Sequence, residues 1–96
     1  MFALETLRRR QVEILEIAAR HGAGNVRVFG SVARGEAGSA SDIDFLIDIV
    51  GPTTPWFPGG LLNELENALG RKVDVVTERS LNPLLRDSVL SEAIPL

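Results

Sequence analysis

The chain has 96 residues, enough for one hydrophobic core and not two, so a single domain spanning residues 1–96 is expected to carry the whole function. Apolar residues make up 45% and charged residues 24%, the balance of an ordinary globular protein, while a formal net charge of -3 lacks the basic footprint that duplex binding demands. Without cysteine, disulfides, thiol catalysis and cysteine-ligated zinc are excluded; no apolar run approaches the roughly 20 residues of a membrane span, so a cytoplasmic protein with no membrane contact is expected.

In chain order, Leu4, Leu7, Ile14 and Ala18, widened by Val12, Leu15 and Ala19, predict one amphipathic helix over roughly residues 3–20, ended by Gly22 and Gly24. The short apolar run from Val26 to Phe29 predicts a buried strand that stops at Gly30-Ser31. A short helix over residues 32–35 and a small, polar loop over residues 36–41 follow, then a second strand from Ile43 to Ile49. Three prolines and three glycines between Gly51 and Gly60 make that stretch a connecting loop. Leu61, Leu62, Leu65 and Leu69 predict a second long helix stopped by Gly70, and Val73 to Thr77 a third strand. Asn82 or Ser80 is suited to cap a last helix running to about Ser91, with Pro83 in its first turn and residues 93–96 as a possible fourth strand. This order defines an α/β protein (α+β in some schemes), with a mixed sheet of three to four strands and flanking helices.

Chemistry concentrates in Gly30-Ser31-Val32-Ala33-Arg34-Gly35 and Ser41-Asp42-Ile43-Asp44. Successive strand side chains face opposite ways, so Asp42 and Asp44 share a face about 6.5 to 7 Å apart while Ile43, Phe45 and Ile47 take the other. Two carboxylates aimed at one spot repel unless a hard divalent cation such as Mg2+ neutralises them. Asp74, between Val73 and Val75, joins them if its strand neighbours the second. Two ions about 3.5 to 4 Å apart would suit an in-line phosphoryl or nucleotidyl displacement. Gly30-Ser31, where a strand turns into a short helix, offers backbone N–H groups and a hydroxyl to triphosphate oxygens. Arg34 is a candidate cation for the same phosphates, or half of a structural ion pair.

Other conspicuous residues read more plainly. Asp48 shares the face of Asp42 and Asp44 but sits at the strand end as a solvated carboxylate. His21 suits a helix terminus, and Arg8-Arg9-Arg10 a solvated helix face. Trp56-Phe57, between prolines, is expected to cover an edge of the core, with partner binding or base stacking as the alternative.

The Gly30 to Gly35 segment, Ser41 to Ile47 and Gly70 to Thr77 together resemble the polymerase-β-like nucleotidyltransferase superfamily, specifically its minimal branch, the MNT antitoxins; the similarity runs from Val26 onward. That resemblance implies the minimal nucleotidyltransferase fold and Mg2+-dependent transfer of AMP from ATP to a tyrosine of a HEPN toxin encoded nearby. It places Gly30 and Ser31 at the nucleotide-binding pair, Asp42 and Asp44 at the metal pair, and Asp74 at the third carboxylate. Val32 departs from the basic or polar residue that many relatives carry. So small a body has little room for a deep acceptor pocket beside a nucleotide site, which implies a hetero-oligomer in which the partner brings the acceptor. Two alternatives remain at this level: an antitoxin that neutralises by binding alone, and the nucleotide-binding subunit of a small-molecule nucleotidyltransferase.

Overall fold

The computed structural model describes residues 4–36, 38 and 42–96. Helices α1 (Leu4–Arg9) and α2 (Gln11–Arg20) stand where one helix is expected, separated by a break at Arg10, whose backbone leaves helical geometry at φ -105 and ψ 14. The apolar pattern explains the break. In a straight helix Leu7 would be followed on its face by positions 10 and 11, which are Arg10 and Gln11, and the stripe resumes only at Ile14. Bending lets Leu7 and Ile14 both be fully buried, whereas Val12, expected in the stripe, is exposed and Ile17 takes its place.

Strand β1 (Ala23–Phe29) starts three residues before the expected run, and its register shifts between Gly24 and Arg27, with Asn25 at φ 47. A bulge of this kind strengthens strand twist and frees one residue from the ladder. Helix α3 (Gly30–Ala33) begins directly at Gly30, two residues earlier than expected. The loop expected over residues 36–41 lies largely outside the described residues. Strand β2 (Ile43–Ile49) and strand β3 (Val73–Thr77) match expectation. They run parallel, so a crossover must join them, and α4 (Gly59–Leu69) supplies it. Gly70 ends α4 at φ 66, a left-handed position that glycine adopts without a side-chain clash. A 3-10 turn (Glu78–Ser80) precedes α5 (Pro83–Glu92). Asn82 caps that helix through Oδ1, which accepts from the Leu84 N–H at 2.9 Å, while Ser80 closes a capping box with Thr77 in the preceding turn. The chain closes with the two-residue β4 (Ile94–Pro95).

The sheet is mixed and four-stranded, in the order β3-β2-β1-β4, with β1 antiparallel to both of its neighbours. β2 is interior, and its alternate residues Ile43, Phe45 and Ile47 are buried against Leu7, Ile14, Leu61 and Leu65 in the main core. Leu46 projects to the opposite side by strand alternation and is buried there too, apart from that core. α5 is largely exposed and is tied to the body of the domain at two points: Arg86 donates to the Glu78 carbonyl at 3.2 Å, and Glu92 at its C-terminal end reaches Gly30. No helix among the described residues is long and apolar enough to cross a membrane.

Candidate active site

The central carboxylate is Asp44. In the β2 ladders it pairs with Phe29 of β1 on one side and with Asp74 of β3 on the other. Parallel neighbours lie about 4.8 Å apart and cross-strand partners share a face, so Asp44 and Asp74 necessarily project side by side. Asp42 is two residues ahead of Asp44, just before β2, and both Asp42 and Asp74 are exposed while Asp44 is half-buried. The sheet register thus brings Asp44 and Asp74 together on one sheet face, and Asp42, just ahead of the strand, is near enough for its charge to act on Asp44.

Gly30 follows Phe29 and places the start of α3 against this cluster. Its φ is +75, and a Cβ built on it would collide with Asp44 Oδ2. The left-handed backbone favours glycine here, and any added side chain would also have to push the Asp44 carboxylate from its place. Ser31 is half-buried in the first turn of α3, and among the described residues its hydroxyl has no hydrogen-bond partner. Val32, the position that departs from many relatives, is buried in the main core.

Electrostatics mark Asp44 out. Burial first, then the charges of Asp74 and Asp42, push its carboxyl from the ordinary 3.8 up to about 6; Glu92 adds to the effect and Arg34 opposes it. No protein group donates a hydrogen bond to Asp44 among the described residues. Nor do any three acidic, histidine or cysteine side chains there converge into a ready-made metal cage. The donor set is nevertheless that of a hard divalent cation: oxygen only, anionic, repelling and partly desolvated. Mg2+ is commonly held by one or two protein carboxylates together with substrate phosphates, so a preassembled cage is not required for it.

Arg34 is engaged within the protein. Its Nη1 donates to both oxygens of Glu92 at 3.1 and 3.2 Å and its Nε to Glu36, bonds that hold the guanidinium still more firmly charged. Glu92 also accepts from the Gly30 N–H at 3.0 Å. Sequence reasoning missed Glu92. The signal available was an acidic residue closing a helix whose last turn has no basic residue, which opposes the helix dipole and calls for a reason elsewhere.

The remaining polar residues divide cleanly. Asp48 is paired and not merely solvated: it accepts from Arg27 Nη2 at 2.7 Å and from Asn25 Nδ2 at 2.9 Å, because the bulge in β1 turns Asn25 toward it. His21 contacts Glu64 at 2.8 Å through Nε2, and Arg20 reaches the same carboxylate. Arg9 pairs with Glu5 and Arg10 with Glu13 along the first two helices. Phe57 packs on the core as expected, whereas Trp56 is 81% exposed.

Comparison with known proteins identifies the class. The family model for the nucleotidyltransferase domain matches residues 11–96, and the chain belongs to that family. Within it the chain is similar to the minimal members. A structure solved as a presumptive minimal nucleotidyltransferase superposes with a TM-score of 0.84 at 53% identity, covering 99% of this chain and 97% of that one. The presumptive protein adenylyltransferase MJ0435 of Methanocaldococcus jannaschii is 40% identical over 82 residues, 85% of this chain and 88% of the relative. The protein adenylyltransferase MntA of Thermococcus cleftensis is 37% identical over 79 residues, 82% and 80% of the two chains. A toxin-antitoxin structure solved with AMP-PNP shares the fold at a TM-score of 0.74 and 23% identity, covering 88% of this chain and 70% of that one.

Proposed function

We propose that this nucleotidyltransferase moves AMP from ATP onto a tyrosine hydroxyl of a HEPN toxin, and thereby acts as that toxin's antitoxin. The observation that carries the reading is Asp44, held against the Gly30 turn on one side and in register with Asp74 on the other. The identity to proteins named protein adenylyltransferase supports a protein acceptor, and the shared fold with toxin-antitoxin structures supports the partner class.

In the proposed reaction the acceptor oxygen bonds to the α-phosphorus, the bond from that phosphorus to the α,β-bridging oxygen breaks, and pyrophosphate leaves as the hydroxyl proton is lost. The Gly30 N–H and the Ser31 hydroxyl hold the departing phosphates, and Arg34 adds positive charge where they gather. Asp42, Asp44 and Asp74 would hold Mg2+ with the triphosphate, and Mg2+ supplies charge neutralisation at the reacting phosphorus. Asp74, exposed on the outer strand β3, stands on the side open to an arriving protein and helps orient the acceptor hydroxyl. The cytoplasm, where ATP and toxin are both at hand, is the proposed location.

Co-expression with the toxin tests the proposal. The wild-type chain should protect cells and the toxin should gain the mass of AMP, while the Asp42→Ala, Asp44→Ala variant should do neither. Protection by the double variant, without added mass on the toxin, would establish neutralisation by binding alone.

A further inference from the structure

Glu92 puts an anion where the site has its anion-holding groups. Its Oε1 accepts from the Gly30 N–H at 3.0 Å, and both its oxygens meet Arg34 Nη1 at 3.1 and 3.2 Å. These are two of the groups assigned above to triphosphate oxygens. The placement is electrostatically unfavourable on its other side, because Glu92 adds its charge to those of Asp42 and Asp74 acting on Asp44. A carboxylate brought into a cluster of carboxylates needs local compensation, and here one backbone amide and one guanidinium provide it.

The neighbouring backbone fixes the Cα from which Glu92 reaches in. Two residues later Ile94 pairs with Val28, then Pro95 with Arg27, and the Leu96 N–H donates to the Val26 carbonyl at 3.0 Å. The same strand β1 therefore carries the Gly30 turn at one end and anchors the segment that follows Glu92. The side chain itself stays partly open, at 27% exposure, so it can swing out while the backbone stays paired.

The geometry points to Glu92 as an internal occupant of the phosphate cradle, a carboxylate that competes with the triphosphate for the Gly30 amide and Arg34 and is displaced when nucleotide binds. This inference rests on the nucleotide-binding reading given above. The free protein keeps its cradle satisfied, and release of Glu92 frees Arg34 Nη1 for phosphate at the moment of binding while Nε stays on Glu36. Affinity for the triphosphate is lowered by the fraction of molecules in which the cradle is already filled.

Calorimetric titration with Mg2+ and a non-hydrolysable ATP analogue tests this on the wild-type chain, Glu92→Gln and Glu92→Ala, with melting curves to confirm that each is folded. Both variants should bind the analogue about three- to tenfold more tightly than wild type, since the competing charge is gone. In the wild-type chain the Gly30 amide NMR signal should shift on addition of analogue and end where it stands in analogue-bound Glu92→Ala, because in both the amide then donates to phosphate and no longer to Glu92. Wild-type binding with equal or weaker binding by both folded variants would overturn the inference and leave the functional reading standing. Absence of binding by all three proteins would overturn both.

Discussion

Replacing Asp44 with asparagine should stabilise the metal-free protein while removing its activity. Burial and the neighbouring carboxylates raise the Asp44 carboxyl from 3.8 to about 6, so its ionised form is disfavoured in the folded state. That gap corresponds to about 3 kcal/mol at 1.36 kcal/mol per pH unit, and because the side chain is only half-buried a gain of about 1 to 3 kcal/mol is expected at pH 7. The sign follows from the direction of the shift. A raised acid contributes stability that is fully present below the unfolded value of 3.8 and is lost as pH rises through about 6. The neutral amide introduced by Asp44→Asn carries no such dependence, so the advantage of the variant over wild type should be full above pH 6 and fade to nothing near pH 4. Denaturant unfolding in the presence of a chelator, from pH 4 to 7.5, reads it; in a domain of this size 1 kcal/mol moves the melting temperature by about 4 to 8 °C. A variant that is less stable than wild type at pH 7, or a gain that does not change with pH, would refute the electrostatic account of the site.

Gly30→Ala should cost about 1 to 2 kcal/mol of stability from the left-handed backbone alone, and nucleotide affinity in addition, because the new methyl group meets Asp44 Oδ2. Gly70→Ala is the control: its φ is also positive, at +66, but its Cβ would meet nothing within 4 Å, so melting should fall while binding of an ATP analogue stays unchanged. Asn82→Ala should lower stability by about 1 kcal/mol through loss of the bond to the Leu84 N–H, measurable by denaturant unfolding.

Much of this molecule was legible before its structure because periodicity reports burial directly. Ile43, Phe45 and Ile47 alternate cleanly and mark both the strand and its core face, and Gly70 and Asn82 announce helix ends through local chemistry. The site was legible where its residues lie close in sequence: Gly30, Asp42 and Asp44 belong to one strand, turn and strand unit. Asp74 required knowing that β3 lies beside β2, a fact about topology that its own flanking valines do not contain. Glu92 was hidden for the same reason, since 62 residues separate it from the Gly30 amide that it touches. The break at Arg10 and the pairing of Asp48 were missed because both depend on tertiary geometry. One follows from how Leu7 and Ile14 reach a common core, the other from a bulge that turns Asn25 toward β2.

Position-specific labelling of ATP tests the central claim most directly. The purified chain, the proposed toxin partner and Mg2+ are incubated with ATP labelled at the α- or at the γ-phosphate. Transfer of AMP predicts that α-label stays on the toxin, that γ-label leaves as pyrophosphate, and that both outcomes vanish in the Asp42→Ala, Asp44→Ala variant. Label retained from the γ-phosphate, or α-label transferred equally well by the double variant, would contradict nucleotidyl transfer at this site.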